Sequence, residues 1–184
     1  MSVSIEPWSE GDLPLLERLL GDPAMMVHLG GPETAGKSAE RHARYLAGAD
    51  REPQFRIMED GEPVGWVGYW ERTWRDREAY EAGWSVLPAH QGRGVAGRAT
   101  AQALEHARAA GRRRYVHAFP SVENPASNAI CAKLGFTLLE VCDFEFPPGS
   151  TMRCNDWQLD LALALSGVRN LQDAPGSGAP ACGP

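Results

Sequence analysis

The chain has 184 residues, 43% of them hydrophobic and 23% charged, with a net charge of −6. These proportions fit one domain with a single core, and the acidic balance argues against a nucleic-acid backbone as partner. No apolar run approaches the ~20 residues of a membrane span and the N-terminus lacks a signal-peptide profile, so a cytoplasmic protein without a membrane partner is expected.

In chain order, Val3-Ser4-Ile5-Glu6-Pro7 alternates like a short first strand. Ser9 with Asp12 three residues on resembles a capping box, and Leu13, Leu16 and Leu20 supply one apolar helix face before Gly21. Met25 to Tyr45 reads as a second, looser helical region broken around Gly30-Gly31-Pro32. Phe55 to Met58, a turn at Asp60-Gly61, then Val64 to Trp70 reads as a hairpin. The charged run Glu71 to Glu78 reads as a solvent loop, leading into an apolar strand, Tyr80 to Leu87, that stops at Pro88.

After that strand come Gln91-Gly92-Arg93-Gly94-Val95-Ala96 and then small or apolar residues at Val95, Ala99, Ala103 and Ala107, one face of a helix. A strand, a glycine turn and a helix N-terminus make an anion site, because unpaired amides and the helix dipole point at the ligand. Gly92 to Gly97 also matches G-x-G-x-x-G, but Pro88-Ala89-His90-Gln91 intervene after the strand. The next strand, about Arg114 to Phe119, ends in Phe119-Pro120 rather than an acid for a ribose, which disfavours a dinucleotide. No Lys-Ser or Lys-Thr pair follows the glycines, so the P-loop pattern is absent as well.

Asn124-Pro125 then opens a helix with a polar cap and a proline at its first position, and Gly135-Phe136 closes it. Thr137 to Phe146 and Asp156 to Leu163 read as strands around a loop containing Pro147-Pro148-Gly149. The succession predicts an α/β (α+β) domain: a mixed, mostly antiparallel sheet with helices on both faces, over residues 1–166. From residue 167 to 184 a Gly/Pro-rich segment without apolar periodicity is expected to be a flexible tail. Cys131, Cys142, Cys154 and Cys182 are widely spaced, with no C-x-x-C pair or histidine cluster, so neither a metal site nor a disulfide framework is expected.

Together, Gln91…Gly94…Ala96 and Asn124…Ser127…Gly135-Phe136 resemble the GNAT (GCN5-related N-acetyltransferase) superfamily. Its pattern is Gln/Arg-x-x-Gly-x-Gly/Ala on a strand–helix turn, then Asn-x-x-Ser/Ala through to Gly-Phe on a later helix. The resemblance covers Val3 to Leu163. In the N-terminal half, Asp22-Pro23 and Leu29-Gly30-Gly31-Pro32 look like the ribosomal-protein N-terminal acetyltransferase subgroup. It implies six to seven strands with a splayed central pair, acetyl-CoA as co-substrate, and transfer of the acetyl group to a primary amine by direct attack. A non-catalytic acyl-CoA-binding or sensing module is the alternative. The implied partner is an amine-bearing small molecule or a protein N-terminus; a homodimer stays open.

Residue by residue, the resemblance implies that the pyrophosphate rests on Gln91, Gly92, Arg93, Gly94, Val95 and Ala96. The pantetheine arm would pair with the backbone of Val86 and Leu87 and touch Asn124 and Ser127. Glu81 is the first candidate for the base. A carboxylate on a strand between Tyr80 and Trp84 is partly desolvated, which raises its pKa; its structural alternative is a partner for Arg72 or Arg75. Many members carry a tyrosine, four residues before the helix-ending glycine, to protonate the leaving thiolate, and here Cys131 stands there. A glutamate used by others falls at Phe119. His117 and His90 are alternative proton carriers. Trp66, Tyr69, Trp70, Tyr80 and Trp84 supply either an aromatic acceptor pocket or core packing, and Met25 to Tyr45 would form one wall of that pocket.

Overall fold

The alternating segment at the N-terminus forms β1 (Val3–Pro7), antiparallel to β2 (Gln54–Glu59). The capping box is present: the Asp12 carboxylate accepts from Ser9 N at 2.7 Å and from Ser9 Oγ at 2.8 Å, leading the chain into α1 (Leu13–Leu20). The computed structural model describes residues 1–145, 149 and 151–163. The expected tail at 167–184, the boundary after 166, and Pro147 and Pro148 lie outside the described residues.

Two expectations are corrected. Residues 22–34 are turns rather than helix, because Gly30 and Gly31 take φ of +85° and +92° and Pro32 has no amide to donate. The helix there is only α2 (Ala35–Ala47), capped by Thr34 Oγ1 accepting from Lys37 N at 3.4 Å. The charged run Glu71 to Glu78 is not a loop either. It is the tip of a long hairpin, β3 (Glu62–Trp74) and β4 (Arg77–Val86), reversed at Arg75 and Asp76 with φ of +50° and +60°. Its charges have strand and loop partners: Arg113 bonds Glu71 at 3.1 Å and Glu78 at 2.5 Å. Charge marked these strands as solvent loop because their outer halves project beyond the apolar core.

After α3 (Val95–Ala110), β5 (Tyr115–Ala118), α4 (Pro125–Lys133), β6 (Thr137–Glu145) and β7 (Thr151–Asp160), the seven-stranded sheet is ordered β1-β2-β3-β4-β5-β7-β6. Every neighbouring pair is antiparallel except β4 with β5. One face packs against α3 and α4, where Val95, Ala99, Ala103 and Ala107 are all buried with Val67, Tyr69, Tyr80 and Ala82. The small side chains let α3 approach the strands closely. The other face meets α1, whose Leu15, Leu16 and Leu19 pack with Leu87 and Trp66. Burying Leu16 and Leu19 contributes about 1.5–3 kcal/mol each before entropic costs.

The parallel pair is the feature that positions a site. Strands β4 and β5 pair only at Tyr80–Val116 and Glu81–His117, while β4 runs on to Val86. Beyond Ala118 the chain stays with β7, since Asn155 N donates to Pro120 O at 2.9 Å and Val122 N donates to Arg153 O at 3.1 Å. The result is a fork with Glu81 and His117 at its vertex.

Candidate active site

On the β4 side of the fork, backbone alternation decides which groups face the gap. Leu87 N donates to Val64 O at 2.9 Å, so Leu87 faces β3 and its amide is spent there. In an antiparallel ladder the intervening residues point the other way. Val86 and Trp84 therefore present their amides to the gap. The Val86 carbonyl accepts the Gln91 side-chain amide at 2.8 Å, which ties the glycine turn to the end of the strand. Of the two residues expected to pair with the pantetheine, Val86 turns its backbone groups toward the gap and Leu87 turns its amide toward β3.

The turn itself begins with a short 3-10 segment, Pro88–His90, and enters α3 with Gly94 at the N-cap in the left-handed region, φ +77°. Arg98 N closes on Gly94 O at 3.1 Å, so the amides of the first turn of α3 have no helical carbonyl to bond. Gln91, Gly92, Arg93 and Gly94 are exposed, whereas Val95 is buried and anchors the helix start. Gly94→Val would place a β-branched residue at positive φ. The expected outcome is about 1–2 kcal/mol of lost stability and a roughly tenfold weaker acetyl-CoA affinity, with little change in kcat at saturation. Calorimetric titration and thermal melts measure the two effects separately.

Arg93 does not point freely from the turn. Its Nη2 donates to Glu59 Oε2 at 2.8 Å, and the same oxygen lies 2.5 Å from His90 Nδ1. His90, one of the two alternative proton carriers, is thus held beside the turn and distant in register from the vertex. On the far side of the fork, Asn124 Oδ1 accepts from Ser127 N at 3.0 Å, so Asn124 is the helix cap and Ser127 sits half-buried one turn in.

A residue that sequence reasoning missed holds this wall. Asn128 Nδ2 donates to Ser121 O at 2.9 Å and Asn124 O at 2.7 Å, while its Oδ1 accepts from Asn155 Nδ2 at 2.6 Å and Trp157 Nε1 at 2.8 Å. Its spacing of four from Asn124 was visible, but its partners on β7 are not local.

At the vertex, Glu81 is 9% exposed and bonded to Arg72 Nη1 at 2.5 Å. Burial pushes its carboxyl above the ordinary range; the Arg72 charge and hydrogen bond, the Trp70 hydrogen bond and the charge of His117 pull the other way, more weakly. Arg72 is therefore its partner, while Arg75 pairs with Glu140 at the hairpin tip. His117 is 5% exposed, with Nδ1 2.6 Å from Asp156 Oδ1 and Nε2 3.0 Å from the Gln158 side-chain amide. Both ring nitrogens are thus engaged by β7. Cys131 lies fully inside the core with Leu134 and Phe136, and burial pushes its thiol up to about 12. A cavity of about 240 Å³ opens beside His117, among Trp74, Ala79, Asp156 and Gln158, on the paired side of the vertex rather than in the fork.

Of the five aromatics singled out, Tyr69 and Tyr80 belong to the core against α3, and Trp84 packs against the same cluster. Trp66 and Trp70 lie on the opposite face with α1 and are half-buried. The sheet's alternation separates the two sets.

The family model for the acetyltransferase (GNAT) domain matches residues 3–137. The chain belongs to the GNAT acetyltransferase family. This GNAT enzyme is accordingly an acyltransferase with acetyl-CoA as its co-substrate. No curated protein has a significant match to the sequence. Among solved structures, it resembles the putative acetyltransferase YncA of Salmonella typhimurium with acetyl-CoA, at 21% identity and TM-score 0.71 over 88% of this chain and 95% of that one. The ribosomal-protein alpha-N-acetyltransferase RimL in complex with coenzyme A is similar at 16% identity and TM-score 0.73, over 87% and 94%. Spermidine N-acetyltransferase of Vibrio cholerae with coenzyme A and spermine follows at 19% and 0.71, over 87% and 96%. At such identities the likeness is one of fold. Among the described residues no helix is long and apolar enough to cross a membrane.

Proposed function

We propose that this protein is an N-acetyltransferase that moves the acetyl group of acetyl-CoA to a primary amine by direct attack, with Glu81 as the base. The observation that carries this reading is the coincidence of the fork and the buried carboxylate: the last β4–β5 pair contains Glu81. A pantetheine arm filling the fork would bring its thioester to that vertex. The amides at the start of α3 would hold the pyrophosphate, and the amides of Trp84 and Val86 would meet the arm and polarise the thioester carbonyl.

In the reaction the amine nitrogen bonds to the carbonyl carbon, the carbon–sulfur bond breaks, and the electron pair leaves on the CoA sulfur. The alkylammonium must first lose a proton, which the Glu81 carboxylate accepts directly or through one water. We assign Cys131 to packing, because a thiol in the core does not reach the gap. His117 we assign to orientation of the vertex, because Asp156 and Gln158 hold both its nitrogens. The nitrogen, cationic after attack, gives its second proton to the departing thiolate directly or through water, and the proton held by Glu81 returns to solvent.

Wild-type protein is expected to release CoA and form an acetamide with at least one member of a broad primary-amine panel, followed by thiol release and mass spectrometry. Tight acetyl-CoA binding without transfer to any amine would instead identify a binding module.

A further inference from the structure

Two aromatic clusters flank Glu81 on the face of the sheet that meets α1. One is already filled. The Arg72 guanidinium lies 4.5 Å from the ring centroid of Phe144, 5.7 Å from Phe119 and 5.8 Å from Trp74, while pairing with Glu81. The other is a ladder of three half-buried rings. Tyr45 stacks on Trp66 at 5.6 Å and 5°, and Trp66 stacks on Trp70 at 6.4 Å and 21°. Trp70 is the direct cross-strand partner of Glu81, so the ladder ends at the carboxylate.

The ladder is built rather than incidental. Trp66 Nε1 donates to Gln54 Oε1 at 3.0 Å, and Trp8 sets its edge against Tyr45 at 5.7 Å. Gly83 of β4 lies under both indoles, and a Cβ there would come within 3.1 Å of Trp70 and 3.2 Å of Trp66. A larger residue there would push both indoles outward by a few tenths of an ångström.

Charge on the same face selects among amines. Glu81 is matched by Arg72, and Asp156 is 1% exposed and held by Trp74 Nε1 at 2.8 Å and by His117. The vertex therefore offers a proton acceptor for one ammonium, with no unmatched carboxylate beside it for a second among the described residues. What it offers to the rest of a substrate is the terminal ring of the ladder, Trp70.

We propose that the acceptor carries a single primary amine joined by a short alkyl link to an aromatic ring, the ring lying on Trp70 at the end of the ladder and the amine reaching Glu81. This rests on the acetyl-transfer reading above and names its substrate class. The same chemistry occurs in a free arylalkylamine and at the aromatic N-terminal residue of a peptide.

The test compares kcat/KM for phenethylamine, tryptamine, ethylamine, spermidine, and two peptides differing only in N-terminal Phe or Ala. Phenethylamine or tryptamine is expected to exceed both ethylamine and spermidine by about tenfold or more, or the Phe peptide to exceed the Ala peptide by as much. The larger of the two preferences identifies the source. Trp70→Ala is expected to reduce the aromatic preference about tenfold, and Trp70→Phe to retain most of it, both with an unchanged acetyl-CoA Kd as the check on folding. Spermidine or ethylamine matching the aromatic amines while the Phe and Ala peptides react equally, or a preference that survives Trp70→Ala, overturns this inference while leaving acetyl transfer standing. Transfer to none of the six overturns both.

Discussion

Replacing Glu81 by Gln is expected to lower kcat by about 10²–10⁴-fold, the range for loss of a positioned general base, with the acetyl-CoA Kd unchanged. The substitution is nearly isosteric, and the amide oxygen still accepts from Arg72, so the fork keeps its shape. The wild-type pH profile carries the second half of the prediction. The base works only when deprotonated, so kcat/KM falls as pH drops through the pKa of Glu81. Burial raises that pKa above the ordinary carboxylate range, and the acidic limb therefore lies at higher pH than for an exposed glutamate. Arg72→Gln removes the strongest opposing influence and should move the limb higher still. A Glu81→Gln variant that keeps both its rate and its acidic limb would remove Glu81 from the mechanism.

Asn128→Ala is expected to cost about 2–4 kcal/mol of stability, because four hydrogen bonds converge on one half-buried amide. For a domain of this size that corresponds to roughly 5–15 °C in Tm. Two of those bonds tie the start of α4 to Asn155 and Trp157 of β7, and two tie it to the turn after β5. The far wall of the fork rests on them. A weaker acetyl-CoA affinity should accompany the lower Tm, in calorimetry and thermal denaturation under the same buffer. An alanine variant with wild-type Tm would show that helix packing alone holds the wall.

The two families of residue at the vertex differ in how they could be recognised. Glu81 was legible as a candidate because it stands on the strand where several members of the resembled family carry a carboxylate, and because an acid between Tyr80 and Trp84 is partly desolvated. It proves to have a partner in Arg72, which hairpin register selects: with Trp70 opposite Glu81, Arg72 falls two residues on along the same face. The run Glu71 to Glu78 reads as solvent loop by composition, and that reading hides the register. Leu87 illustrates the same limit on a smaller scale. Its place in the chain suggested a contact with the pantetheine arm, but the parity of hydrogen bonding with β3 turns its amide away and gives the gap to Val86 and Trp84.

What the sequence determined by itself is whatever short-range sterics and unpaired amides dictate. The Ser9–Asp12 box, the Asn124 cap with Pro125 behind it, and the glycine that closes α4, Gly135 at φ +84°, each depend on a few consecutive residues, and each formed where it was read. The tertiary structure alone decided the fork, the Arg72–Glu81 and His117–Asp156 pairs, the Asn128 hub, and the division of the aromatics between the core against α3 and the face that meets α1. Those depend on strand register and on which strands are neighbours. Each joins residues distant in sequence, and a shift of one position exchanges every side chain between the two faces.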